Sequence, residues 1–69
     1  MEIIKIKDDF IKLGQVLKLA GLVGSGVEAK IVINEGKVLV NDKTELQRGK
    51  KIVSGDIITY NNFQIKVEN

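Results

Sequence analysis

A chain of 69 residues lies near the lower limit at which one hydrophobic core sustains a fold, so residues 1–69 are expected to form a single domain with no room for a second. Its 43% apolar residues are interspersed with 29% charged ones, a globular composition; the lack of cysteine and histidine excludes disulfides, thiolate metal sites and the commonest general base, so neither enzyme chemistry nor a cofactor is expected. Eleven basic against nine acidic side chains leave a net charge of only +2, so any attraction for a polyanion must come from where the cations sit.

The first element in chain order is a strand over Ile3 to Lys7, where Ile4 and Ile6 alternate with Lys5 and Lys7; it reads as an edge strand. This start lacks the basic-then-apolar layout of a signal peptide, and no apolar run approaches about 18 residues. A cytoplasmic location is therefore expected, with no membrane partner. Asp8-Asp9 supplies cap chemistry for a helix beginning between Phe10 and Leu13, whose apolar stripe is Leu13, Val16, Leu17 and Ala20. Gly14 weakens its first turn by about 1 kcal/mol relative to alanine, and Gly21 ends it.

Ser25-Gly26-Val27-Glu28 carries a serine with glutamate three residues on, the reciprocal capping box, so Ser25 is the predicted N-cap of a second helix. That helix runs through Ala29, Ile31, Val32 and Ile33 and stops at Gly36, which packs it closely against the first. From Lys37 the period becomes two, with Val38 and Val40 on one side and Lys37, Leu39 and Asn41 on the other. Asn41-Asp42-Lys43 and Ser54-Gly55-Asp56 read as turns around a polar, basic stretch from Thr44 to Lys51. Ile57 to Tyr60 and Phe63 to Val67 flank Asn61-Asn62, a pair that suits a two-residue hairpin. The order is strand, helix, helix, then three or four short strands.

Few features point to chemistry. The glycines of Gly21-Leu22-Val23-Gly24-Ser25-Gly26 follow a helix in the wrong spacing for a nucleotide loop, and helix caps and a tight turn explain them better. Gly21-x-x-Gly24 is formally the clamp of a KH domain, but its middle residues are Leu22 and Val23, which read as core anchors, and no third helix follows. Asp8-Asp9 is the one adjacent acidic pair, and at a helix start such pairs cap rather than catalyse. Only Phe10, Phe63 and Tyr60 are aromatic, too few to stack several unpaired bases, which favours recognition of backbone or shape. Lys12, Gln15 and Lys18 lie off the apolar stripe of helix one; Lys30 lies on helix two, Lys37 opens the next strand, and Arg48, Lys50 and Lys51 cluster in the later loop. Phosphates along a nucleic acid are spaced so that cations from separate elements are needed to meet them. Taken singly, a lysine such as Lys5 or Lys66 is simply a solvated side chain.

Lys12-Leu13, Ser25-x-x-Glu28-Ala29-Lys30, Ile33-x-x-Gly36, Val38-x-Val40-Asn41 and Gly55-Asp56, in that order, resemble the RNA-binding domain named after small-subunit ribosomal protein S-four, over roughly residues 10 to 60. Gln15-Val16-Leu17-Lys18-Leu19-Ala20-Gly21 and Arg48-Gly49-Lys50-Lys51 look most like its stand-alone bacterial YaaA/YbcJ branch. The resemblance implies an α+β fold, the alpha-L motif: an N-terminal strand, then a packed helix pair followed by a small, bent antiparallel sheet of short strands. It also implies non-catalytic binding of structured RNA, ribosomal or transfer RNA being the candidates, by a monomer that takes no small-molecule substrate. Carried over, Lys12, Gln15 and Lys18 belong to the helix-one surface, Ser25 and Lys30 to helix two, Lys37 and Asn41 to the strand edge, and Arg48, Lys50 and Lys51 extend it. Two positions depart from the pattern: Gly26 stands where many members have arginine, and Asp42 where many have glycine. The rival readings are a protein-interaction module of a nucleoprotein complex, and a ubiquitin-like sulfur carrier, against which the ending Val67-Glu68-Asn69 speaks because it lacks Gly-Gly.

Overall fold

The computed structural model describes residues 1–69, in the order β1 (Glu2–Lys5), β2 (Ile11–Lys12), α1 (Leu13–Leu19), α2 (Gly26–Asn34), β3 (Val38–Val40), β4 (Lys43–Thr44), β5 (Lys51–Ile52), β6 (Ile57–Tyr60) and β7 (Phe63–Glu68). The predicted class holds: a helix pair and short strands make a small α+β domain. The five-stranded sheet runs β1-β7-β6-β3-β4, with β1 at its edge as expected, and β2 and β5 form a separate two-stranded ribbon. One feature departs from an all-antiparallel sheet, since β1 runs parallel to β7 and only the other neighbours are antiparallel.

Local chemistry ends both helices in the same way. Gly21 has φ +74° and Gly36 φ +77°, a conformation in which a Cβ is strained. At the first, Leu22 N donates to Leu17 O and Gly21 N to Lys18 O; at the second, Lys37 N donates to Val32 O and Gly36 N to Ile33 O. Both are Schellman motifs, which satisfy carbonyls that a helix end otherwise leaves without partners. The hairpins likewise follow their side chains: Asn41-Asp42 and Asn61-Asn62 all have positive φ, the successive left-handed pair of a type I′ turn.

One core joins the two layers. Leu13, Val16, Leu17, Ala29, Val32 and Ile33 from the helices meet Val38, Val40, Ile58, Ile65 and Val67 from the sheet, with Val23 and Ile52 completing the cluster. The register aligns Val40 with Ile58 and Ile58 with Ile65, so one apolar row crosses three strands. Val23 is buried and Leu22 packs against the cluster, as expected of the inter-helix link. No helix is long and apolar enough to cross a membrane.

Two caps differ from expectation. Asp8 and Asp9 do not cap α1: the cap position is Lys12, which makes no side-chain cap bond. The first α1 donors are met instead by a distant loop, Leu13 N donating to Lys50 O at 2.9 Å and Gly14 N to Arg48 O at 3.1 Å. At α2, Ser25 Oγ accepts from Glu28 N at 3.1 Å as predicted, but the Glu28 carboxylate accepts from Gly24 N at 2.7 Å, one residue upstream of the expected donor.

Candidate functional site

The loop that caps α1 also builds the site. Because the carbonyls of Arg48 and Lys50 are fixed on the α1 amides, and β5 pairs with β2 immediately afterwards, the basic loop is pinned along the start of α1. Its turn is closed by Lys50 N donating to Gln47 O, and Gln47 N donates to the Glu45 carboxylate. The result is an open cleft of about 320 Å³ lined by Lys12, Gly14, Gln15, Lys18, Gly26, Arg48 and Gly49. Three cations and an amide face it, with neither a carboxylate nor an apolar side chain among them.

The three cleft cations come from β2, α1 and the loop, and none is ion-paired: the two salt bridges of the molecule are Lys37–Glu35 at 3.1 Å and Lys66–Glu68 at 3.8 Å. The β2–β5 register also sets Lys12 directly opposite Lys51. Like charges directly opposed across a strand pair are destabilising, and an anion lying between or above them would offset their repulsion. One glycine of the cleft also has a steric role. Gly14 is buried, and a Cβ there would stand 2.7 Å from Arg48 Cγ, so the absence of a side chain is what lets the Arg48 stem lie against α1.

Of the ten residues singled out from sequence, the cleft gathers Lys12, Gln15, Lys18 and Arg48. The others are spread around it. Ser25 adjoins cleft-lining Gly26 and spends its Oγ on the α2 cap. Lys30 is exposed on α2 but does not line the cleft. Lys37 is paired with Glu35. Lys50 borders a separate depression shared with Asn41, Lys43, Glu45 and Asp56, where both signs of charge occur. Lys51 has its ammonium 4.8 Å from the centroid of the Phe10 ring. Asn41 is occupied within the fold: its Oδ1 accepts from Ile57 N and its Nδ2 donates to Asp56 Oδ1, both at 2.9 Å, while the other Asp56 oxygen accepts from Val53 N. Those bonds tie the β3–β4 turn to the turn before β6.

Sequence reasoning passed over Gly14, Gly26 and Gly49 as lining residues and Phe10 as a neighbour of the cations. The one available signal was Gly14 itself, a helix-weakening residue inside an otherwise clean amphipathic stripe.

Comparison with known proteins places the chain in a family and matches its fold. The family model for the S4 domain matches residues 4–68. A probable ribosome maturation protein of Bacillus subtilis, RlbA, is 43% identical over 60 residues, covering 87% of this chain and 84% of that one. YbcJ of Escherichia coli is 36% identical over 61 residues, covering 88% of this chain and 87% of the relative. The solution structure of E. coli YbcJ, described as an alpha-L motif involved in RNA binding, superposes with a TM-score of 0.77 at 33% identity, covering 100% of this chain and 89% of that one.

Proposed function

The chain belongs to the S4 domain family, and from that premise we propose that it is a non-catalytic protein that holds structured RNA by its phosphates in the cleft between α1 and the Arg48 loop. One observation carries the reading: three unpaired cations from three separate elements converge on one cleft free of carboxylates. Cations on separate elements suit phosphates spaced along a folded backbone. A-form RNA offers such phosphates, with 2′-hydroxyls, across a wide and shallow minor groove that is recognised largely by shape. Gln15 supplies a group that both donates and accepts at the cleft wall, fitted to a hydroxyl. The description of YbcJ and the name of the Bacillus relative support RNA as the ligand class and favour ribosomal RNA within it. A binding role without chemistry suits a chain that carries no histidine or cysteine.

The test is binding of a structured RNA, and of a DNA duplex of equal length, across a salt series. Lys12→Gln, Lys18→Gln and Arg48→Gln are each expected to lower the magnitude of the log–log salt slope by about 0.7–0.9, whatever the RNA sequence. Lys5→Gln and Lys66→Gln, on β1 and β7, are the controls and are expected to leave it unchanged. Equal losses from all five replace a site with diffuse attraction, and no RNA binding at any salt transfers the role to protein interaction.

A further inference from the structure

Phe10 immediately precedes β2 and is 38% exposed. It is one of the residues that line a second depression, of about 450 Å³, with Asp8, Asp9, Ile11, Lys12 and Gln15. Lys51 stacks its ammonium 4.8 Å from the centroid of the Phe10 ring and is not one of the residues that line the depression. Lys12 and Gln15 line this depression and the basic cleft alike, which makes the two adjoining compartments of one surface. Their chemistry differs. The charged groups of the cleft are all cations, whereas the depression brings an aromatic residue together with two aspartates whose carboxylates make no ion pair and accept no hydrogen bond.

A phosphate is repelled by two carboxylates, but a nucleobase is not. Bases stack on aromatic faces whatever their sequence, and carboxylates accept hydrogen bonds from the amino and imino groups of their Watson–Crick edges. Guanine sets N1–H and N2–H side by side, a donor pair that matches one carboxylate; uracil offers a single N–H between two carbonyls that a carboxylate repels. That edge is hidden in a paired helix and open in a bulge or at an end. We infer that Phe10 is the stacking platform for one unpaired nucleobase, with guanine favoured by Asp8 and Asp9, while the adjoining cleft holds the phosphates beside it. The inference rests on the RNA reading of the cleft and narrows its ligand to a duplex carrying an unpaired base. A single exposed ring beside the cleft limits the stack to one base.

The test compares three RNAs: a blunt, fully paired duplex and the same duplex with one bulged guanosine or one bulged uridine. The parent protein is expected to bind the guanosine bulge most tightly. Phe10→Leu is expected to weaken binding of that bulged duplex by about 5- to 150-fold, the usual range for one stacked base, and to leave the paired duplex unchanged. Phe10→Tyr, which keeps the ring face, retains the preference, and Phe63→Leu, which removes an exposed ring that lines neither compartment, changes neither RNA. Joint Asp8→Asn and Asp9→Asn reduces like-charge repulsion for every RNA, so its readout is the ratio of guanosine to uridine bulge, expected to fall towards one. Lys12→Gln lowers the affinity for paired and bulged duplexes alike.

A parent that does not distinguish bulged from paired RNA, or a Phe10→Leu protein that loses equally on both, overturns the platform while leaving the cleft intact. If no duplex binds, or Lys12→Gln has no effect, the cleft reading fails instead. Urea midpoints show whether Phe10→Leu is folded. If it is not, nuclear magnetic resonance of the parent decides the matter: the Phe10 ring protons and the bulged base are expected to shift upfield together, and their silence rejects the stack.

Discussion

Replacing Gly14 with alanine separates what the cleft does for folding from what it does for binding. Gly14 is buried at the second position of α1, and an added Cβ would lie 2.7 Å from Arg48 Cγ, 3.3 Å from its Cδ and 3.7 Å from Ala29 Cβ. Carbon atoms rest at about 3.5–4.0 Å, so the Arg48 stem has to retreat by roughly 1 Å. Its backbone is not free to follow, because the Arg48 carbonyl accepts from Gly14 N at 3.1 Å. Either the side chain leaves its rotamer, at about 0.5–1.5 kcal/mol, or the loop shifts and gives up a hydrogen bond of about the same worth. Against this stands a helix-propensity gain of up to about 1 kcal/mol for alanine over glycine.

The two terms nearly cancel, so urea unfolding of Gly14→Ala should show a change in stability within about 1 kcal/mol. Binding has no such compensation. If Arg48 meets a phosphate as proposed, displacing its guanidinium removes that contact, and the salt slope on structured RNA should fall in magnitude by about 0.7–0.9. A double-mutant cycle isolates the cause: in an Arg48→Ala chain the clash is gone, so Gly14→Ala should then stabilise by up to about 1 kcal/mol and leave RNA affinity unchanged. If Gly14→Ala weakens binding to the same degree with and without Arg48, or leaves the slope at the parent value, the seat does not orient Arg48 and the reasoning is refuted.

Two further outcomes concern the framework. Ile33 is completely buried between the layers, and Ile33→Ala should cost about 2–5 kcal/mol by denaturant titration, a large share of the roughly 3–10 kcal/mol expected for a domain of this size. A variant as stable as the parent would remove Ile33 from the core. Asn41→Ala should cost about 1–3 kcal/mol, since it deletes the bonds to Ile57 N and Asp56 and leaves alanine at φ +51°, whereas Asn41→Gly, which accepts that φ, should cost less than alanine in the same titration. A stable Asn41→Ala protein with impaired RNA binding would instead make Asn41 a direct contact.

How much of this was legible depended on the distance over which each feature is decided. The helix stops at Gly21 and Gly36, the Ser25 cap and the Asn61-Asn62 turn each involve a few consecutive residues, and all are where the side chains predict them. The apolar stripes of α1 and α2 and the alternation of Val38 and Val40 likewise located the core, because burial on one face imposes its period on the chain. Lys12, Gln15, Lys18 and Arg48 were legible through the family resemblance as parts of one surface, but the cleft that they line was not.

What joined them was decided by tertiary structure alone. A two-residue strand has no period to read, so neither the β2–β5 ribbon nor its opposition of Lys12 to Lys51 had a sequence signal. Backbone carbonyls of any residue cap a helix equally well, so the role of Arg48 and Lys50 at α1 left no side-chain signature, and Asp8-Asp9 looked like the cap it is not. The parallel pairing of β1 with β7 joins the two ends of the chain, where no local rule sets direction. Sequence determined the elements and their buried faces because those follow from near neighbours; the cleft arose only when a loop distant in sequence supplied the hydrogen bonds that the start of α1 lacked.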